Sequence, residues 1–225
     1  MEELAKGVYQ VSTGANAFVV DGDEGITLID TGLPRRHGVI IEGLSDIGRS
    51  SKDITAILLT HGHFDHFGGA AALRSASAAP VFASHEDAAI IRGDLPAPPP
   101  PVLERVPLVD LLMKIMPKAA SLPVDHIVAE GFEGGLPEDF SVIDTPGHTD
   151  GHLSFLLDRG DGILFVGDAA AHSGGTIKRG WFNRSTDSIT ASITKLGAFD
   201  FDMACFGHSG PLRTGASAAF AAFAP

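Results

Sequence analysis

The residues best suited to chemistry lie in one short stretch, residues 60–66, which read THGHFDH at the end of an apolar run. Imidazole nitrogens and carboxylate oxygens are donors that suit a borderline metal ion such as zinc. His61 and His63 are two residues apart, so in extended backbone they point to the same side. Asp65 and His66 fall on the turn into a helix predicted to begin near residues 67–69. The spacing therefore predicts two donor pairs, His61 with His63 and Asp65 with His66. A solvated polar loop does not account for the motif, because three imidazoles so close together would repel one another when protonated.

Three further predicted strand ends carry residues of the same kind. In each, a glycine precedes a histidine or an aspartate at the end of an apolar strand, and the residues are His148, Asp168 and His208. Glycine lets the backbone turn there, so that the next side chain can reach inward. A ligand at a strand end is held by the packed sheet, which gives a metal site its rigidity.

The elements that must position these residues are short strands and helices. Period-two alternation and glycine turns predict strands at residues 8–11, 17–20, 26–29, 57–59, 80–83, 127–129, 141–143, 153–157, 163–166 and 201–206. Apolar periodicity and candidate caps predict helices at residues 36–49, 67–74, 84–92, 185–196 and 216–223. They form two sets, one on each side of a proline-rich segment. This pattern favours two packed sheets with helices outside them, in one domain over residues 1–225.

The proline-rich segment, residues 93–125, is predicted to be an insertion in this domain. Its prolines, residues 96 and 98–101, exclude an ordinary helix and make a stiff connector. Residues 108–116 suit one short helix that is apolar around most of its circumference. We expect it to lie over the cleft as a lid, and the alternative is an arm that contacts a second subunit in a homodimer.

Composition limits the classes of partner that this protein is expected to bind. The 225 residues carry a net charge of −12 with no basic cluster, which argues against nucleic acid or an anionic membrane and favours a small-molecule substrate. The amino-terminal residues lack the features of a signal peptide, and no run approaches the roughly 18 apolar residues of a membrane span, so the expected location is cytoplasmic. Cys205, the single cysteine, excludes an internal disulfide and a cysteine-based zinc cluster.

Four motifs together resemble the metallo-β-lactamase-fold hydrolase superfamily. They are HGHFDH at 61–66, TPGHTDGH at 145–152, FVGD at 165–168 and FGH at 206–208, in the order of that family. The resemblance implies an α/β fold, a four-layer αβ/βα sandwich with a two-metal site between the upper edges of its sheets. It also implies the ligands: His61, His63 and His148 for one metal, Asp65, His66 and His208 for the other, and Asp168 as the bridge.

The ligand set suits two divalent ions, with zinc as the default and iron or manganese as possible alternatives. A water bridging the two ions would ionise near neutral pH and act as the nucleophile. Asp65 and Asp168, the two carboxylates of the set, are the predicted catalytic residues.

Several other polar residues could have structural or functional roles. His152 is expected to make a buried structural hydrogen bond, or one to a ligand, rather than to bind metal. His172, four residues after Asp168, is a candidate for the lining of the pocket. Asp30, in a DTG turn that the family shares, is expected to shape the floor of the site. Surface or packing roles are expected for His37, His85 and His126.

The resemblance leaves the substrate open, because the family hosts many reactions. Asp168 distinguishes the chain from true zinc β-lactamases, and Ala171 stands where acyl-homoserine lactonases carry a tyrosine. Only residues 209–225 follow His208, whereas glyoxalase II adds a helical domain. The favoured function is hydrolysis of a small ester, thioester or lactone. The alternatives are a mononuclear iron persulfide dioxygenase, a phosphodiesterase of the same fold and a non-catalytic binding protein.

Overall fold

The first half of the chain builds a seven-stranded sheet in the computed structural model, which describes residues 1–99, 118–132, 134–137 and 139–224. The strands are β1 (Glu2–Ala5), β2 (Val8–Ser12), β3 (Asn16–Gly22), β4 (Gly25–Ile29), β5 (Ile54–Leu58), β6 (Val81–Ala83) and β7 (His126–Ile127). They lie in sequence order, antiparallel from β1 to β4 and parallel from β4 to β7. The carboxyl ends of the parallel strands therefore share one edge.

The second half builds a four-stranded sheet and a separate hairpin. Its strands are β8 (Phe140–Asp144), β9 (Leu153–Leu157), β10 (Ile163–Gly167), β11 (Ala170–Ser173), β12 (Thr176–Arg179) and β13 (Met203–Phe206). The sheet has the order β13-β10-β9-β8, and within the described residues β11 pairs only with β12. Because β10 and β13 run parallel, their carboxyl ends also meet at one edge.

Six α-helices lie in the described parts of the chain, together with one 3-10 helix at Ser51–Asp53. The α-helices are α1 (His37–Asp46), α2 (Phe64–Phe67), α3 (Ala70–Ser77), α4 (His85–Arg92), α5 (Thr186–Leu196) and α6 (Ala216–Ala221). Ser84 and Ser185, the first residues of two predicted helices, are their N-caps, because the two hydroxyls accept hydrogen bonds from the backbones of Asp87 and Ser188. None of these helices is long and apolar enough to cross a membrane.

Alternation along the strands sorts the apolar residues into three layers. In β10, Phe165 faces the layer between the two sheets and packs against Phe18 of β3, with the rings tilted and their centroids 5.3 Å apart. Its neighbours Leu164 and Val166 face the opposite side, toward α5 and α6. The outer face of the first sheet packs in the same way on α1, α3 and α4. The layers are thus helix, sheet, sheet and helix, and the predicted sandwich is confirmed.

The boundaries of several predicted elements shift by a few residues. α1 covers His37–Asp46 instead of residues 36–49, β13 begins at Met203, β7 covers His126–Ile127, and α6 ends at Ala221. The helix after the histidine motif begins earlier than the predicted start near residues 67–69. α2 already begins at Phe64, because His63 has the extended backbone of an N-cap, so Asp65 and His66 lie within a helical turn.

The proline-rich segment is described only at its two ends. Gly93 terminates α4 in a left-handed conformation, and Leu122 and Val124 are buried in the outer core beside α4. The Leu122 N–H donates to the Ile91 carbonyl at 3.1 Å, so this end of the segment is part of the packed domain. The predicted lid helix at residues 108–116 lies outside the described residues and stays a prediction.

Candidate metal centre

One edge of the sandwich brings together side chains from both sheets. The turn after β5, the α2 helix, the loop after β8 and the ends of β10 and β13 all meet there. All seven predicted ligands lie at this edge. Their donor atoms form three overlapping groups within 4.8 Å: His61, His63 and His148; His61, His66 and Asp168; and Asp65, His66 and His208.

In the first group, three ring nitrogens face one another. His63 Nδ1 lies 3.0 Å from His61 Nε2 and 2.9 Å from His148 Nε2. The far nitrogens of two of these rings carry hydrogens, because His61 Nδ1 donates to the Thr60 hydroxyl and His148 Nδ1 donates to the Trp181 carbonyl, both at 3.0 Å. Their inward nitrogens therefore present lone pairs, as metal ligands do.

Asp65, His66 and His208 are called the second group from here on, and this group has the spacing of a tetrahedral site. His208 Nε2 lies 3.4 Å from both His66 Nε2 and Asp65 Oδ2. Donors bound at 2.0–2.1 Å in a tetrahedron lie about 3.3 Å apart. The donor types and their separations thus fit a divalent ion such as zinc.

Asp168 lies between the two groups. Its Oδ2 is 3.3 Å from His208 Nε2 and 3.6 Å from His148 Nε2, and its Oδ1 is 3.5 Å from His66 Nε2. One carboxylate thus reaches a member of each group. Gly207 makes room for it, because a Cβ at that position would lie 2.0 Å from Asp168 Oδ1.

The two groups differ in their electrostatics. Burial and the neighbouring imidazoles lower the pKa of His61, and they lower that of His63 to about 3, so these rings are neutral at pH 7. Hydrogen bonds to Asp168 and Asp65 raise the pKa of His208 to about 9. Burial alone would raise the pKa of Asp168, but the facing imidazoles hold it well below its ordinary value. The second group therefore pairs imidazoles with carboxylates, whereas the first consists of neutral donors.

Asp30 supports a histidine of each group from behind. Its carboxylate is buried and accepts hydrogen bonds from the Thr60 N–H at 2.8 Å, the Thr60 hydroxyl at 2.7 Å and His66 Nδ1 at 2.8 Å. The Thr60 hydroxyl in turn accepts from His61 Nδ1. Asp30 therefore lies beneath the site, as expected, and sets the ring orientation of His66 directly and of His61 through Thr60.

Two further histidines lie close to the ligands. His152 is buried, accepts a hydrogen bond from the Asp168 N–H at 3.0 Å and donates to the Thr145 hydroxyl at 2.9 Å. It thus makes the buried hydrogen bond that was expected. His172 donates to the Gly210 carbonyl at 2.8 Å and belongs to none of the three donor groups.

Asn16 is a site residue that sequence analysis missed. Its N–H donates to the Gly207 carbonyl at 2.7 Å, and its Nδ2 donates to the carbonyls of Phe206 and Ser209 at 2.8 and 2.9 Å. The first sheet thereby holds the loop that carries His208. No local pattern marks this role, because the partners lie 190 or more positions away in the sequence.

Asp87 is the second missed residue. In sequence it is only the partner of the Ser84 cap, but its buried carboxylate accepts a hydrogen bond from the Thr149 hydroxyl at 2.7 Å. It also lies against Gly62, between two candidate ligands. Burial raises the pKa of Asp87 to about 6. The first turn of α4 thus joins the loop of His61 and His63 to the loop of His148.

Residues 12–208 match the model of the Metallo-beta-lactamase superfamily. The chain belongs to this superfamily. A probable metallo-hydrolase of Bacillus subtilis (strain 168) is 28% identical over 93% of this chain and 86% of that protein. A hydroxyacylglutathione hydrolase of Halorhodospira halophila is 32% identical over 69% of this chain, but the match spans only 47% of that enzyme.

Solved structures agree with this membership. A subclass B3 metallo-β-lactamase of Bradyrhizobium japonicum has a TM-score of 0.69 and 25% identity, over 92% of this chain and 76% of that one. The resemblance stated from the four motifs is confirmed, and so is the expectation of a metal-dependent hydrolase of this superfamily.

The close packing at Gly207 predicts a selective loss of metal. Gly207→Ala places a methyl group against Asp168 and His66, so we expect metal retention to fall roughly tenfold or more while the circular dichroism spectrum is unchanged. Gly210→Ala is the matched control, because a Cβ there meets nothing within 4 Å. Equal metal content in the two variants would show that Asp168 need not occupy its present position.

The hydrogen bonds of Asp30 predict a second effect. Asp30→Asn keeps the shape and tolerates the left-handed backbone at this position (φ 57°), but its NH2 group would face other donors. We expect metal affinity, measured by chelator competition, to fall roughly 10- to 100-fold. Asp23→Asn, in an exposed turn, should leave affinity unchanged. Wild-type affinity in Asp30→Asn would contradict the orienting role.

Proposed function

We propose that the chain is a dinuclear metal-dependent hydrolase of a small ester, thioester or lactone. The observation that carries the proposal is the position of Asp168, whose carboxylate lies within 3.6 Å of donors from both groups. The proposed ligands are His61, His63 and His148 for one ion, Asp65, His66 and His208 for the other, and Asp168 for both. Zinc is the proposed ion, and iron and manganese suit the same donors.

The candidate ligands and the residues that hold them have different roles at this edge. Bound divalent ions would polarise the carbonyl of the substrate and provide an activated water as nucleophile. The neutral histidines contribute lone pairs without charge, and Asp65 and Asp168 leave two divalent ions with a local charge of about +2. That charge favours the oxyanion which develops as an acyl carbonyl is attacked. Asp30 and His152 hold the donors in position through the hydrogen bonds described above.

The substrate class is supported by the relatives as well as by the chemistry. A hydroxyacylglutathione hydrolase shares 32% identity with this chain, although the match covers about half of that enzyme. Solved neighbours at about 25% identity are β-lactamases, so a β-lactam is the second candidate substrate, although Asp168 distinguishes this chain from true zinc β-lactamases. The net charge of −12 supports the absence of a nucleic-acid partner. The cytoplasmic location and the homodimer stay predictions.

The proposed site predicts the metal content. Protein purified without chelator should contain close to two divalent ions per chain by elemental analysis, because two donor groups are present. Asp65→Ala, which removes a donor of the second group alone, should lower the content toward one. A wild-type content near one, unchanged in Asp65→Ala, would favour the mononuclear iron alternative when that ion is iron.

The proposed activity predicts a dependence on Asp168. We expect metal-loaded protein to hydrolyse members of a panel of esters, thioesters and lactones, and Asp168→Ala to lose at least one ion and on the order of 10²-fold in kcat/KM while the fold persists. His152→Ala should lose less than His148→Ala. Cleavage of only β-lactams or only phosphodiesters would replace the proposed substrate class, and full activity in Asp168→Ala would refute the proposed site.

A further inference from the structure

A loop after β12, residues 180–184, crosses the edge that carries the donors. A Cβ at Gly180 would lie 2.1 Å from the Asp168 carbonyl oxygen, and the Trp181 carbonyl accepts the hydrogen bond from His148 Nδ1. The loop backbone is therefore in direct contact with two proposed ligands. Whatever this loop exposes to solvent lies at the rim of the site.

The loop exposes two large aromatic side chains. Trp181 is 65% exposed and Phe182 is 57% exposed, the most exposed aromatic residues in the described part of the chain. Such groups normally contribute to a core, where the burial of their rings stabilises the fold. Here they add nothing to the core, so the loop itself gives no structural reason for them.

The backbone under these rings is strained. Phe182 has φ 59°, a left-handed conformation that bulky residues rarely adopt. Asn183 holds the turn closed, because its Nδ2 donates to the Gly180 carbonyl at 2.7 Å. Strain of this kind persists where the surroundings fix it, and it clusters at ligand-binding sites.

We propose that Trp181 and Phe182 form an apolar wall of the substrate pocket that binds the hydrocarbon chain of an acyl group. The proposal rests on the proposed function, because it assumes that the acyl carbonyl lies at the donor cluster. The backbone contacts at Gly180 and Trp181 place the loop beside this polar cluster, so a hydrocarbon chain that leaves the cluster along the loop would meet the two rings. Each methylene group buried there would tighten binding by up to about fourfold.

The occupant is a small molecule, because two side chains are too little for a protein interface. Stable interfaces bury about 800 Å² on each partner, and the other exposed large apolar residues among those that the structure describes, Met1, Leu95 and Ile127, belong to other parts of the fold. The wall selects medium-length acyl substrates over acetyl ones. The chemical class is thus an ester, thioester or lactone with an unbranched hydrocarbon chain.

The chain contains its own probe of this wall. Trp181 is the only tryptophan, so intrinsic tryptophan emission reports on this loop alone. Protein with its metal as isolated is titrated with acetate, butanoate, hexanoate and octanoate, which are product analogues. We expect the emission to shift to shorter wavelength and the Kd to fall about two- to fourfold per added methylene group.

Variants at Phe182 test the contact while keeping the probe. Phe182→Asn tolerates the left-handed backbone but removes the ring, so the dependence of Kd on chain length should become much shallower. Phe182→Leu keeps apolar bulk and should restore most of it. Leu95→Ala is the control, because Leu95 is equally exposed at 57% but follows the end of α4 opposite to Asp87; it should keep the wild-type dependence.

A kinetic series separates this proposal from the proposed function. Esters of 4-nitrophenol with two to eight acyl carbons are assayed with wild type, Trp181→Ala and Phe182→Asn. The wall predicts that KM rises in both variants for the long esters while rates on the acetyl ester persist. A wild-type length preference in both variants, or emission that does not respond to octanoate, overturns the wall and leaves the hydrolase intact. Length-dependent binding without hydrolysis of any ester or lactone overturns the hydrolase and supports the wall.

Discussion

The rest of the structure depends on one constraint, which is that His63 Nδ1 is held 3.0 Å from His61 Nε2 and 2.9 Å from His148 Nε2. Burial removes these imidazoles from water and places them against one another, so the arrangement must be stabilised from elsewhere. The packed layer between the sheets, around Phe18 and Phe165, supplies that stabilisation. Each donor group takes members from both halves of the chain. The site therefore exists only when the two sheets are docked, and a bound ion favours the docked state.

The candidate ligands could be predicted because each is a local event in the sequence. An apolar strand, a glycine and then a histidine or aspartate marks His148, Asp168 and His208, and the sheets bring these strand ends together. The layers of the fold followed from the same alternation, since β10 sends Phe165 and Leu164 to opposite faces. The order of residues along a strand determines which side chains face each side of the sheet. The positions of the candidate ligands and the layers of the fold could therefore both be predicted from the sequence.

What the sequence could not indicate are contacts between distant segments and elements without apolar periodicity. Asn16 and Asp87 hold ligand loops, but their partners are remote in sequence, and their residue types are as common in turns and caps. β1 and the β11–β12 hairpin were missed because they bury few residues and show no alternation. The onset of α2 was misplaced because His63 caps it by backbone conformation without a capping side chain.

The parallel pairing of β10 with β13 bears on how the proposed metal centre would be loaded during synthesis. The amino-terminal half emerges first and carries four of the seven donors, whereas His208 follows His66 by 142 residues. Parallel pairing between remote strands forms slowly. Until it forms, the histidines of the first half are a ligand cluster without fixed geometry, to which copper and nickel bind more tightly than iron or manganese. Discrimination among metal ions at the proposed centre would therefore be a property of the completed sandwich and not of the motif that carries most of the candidate donors.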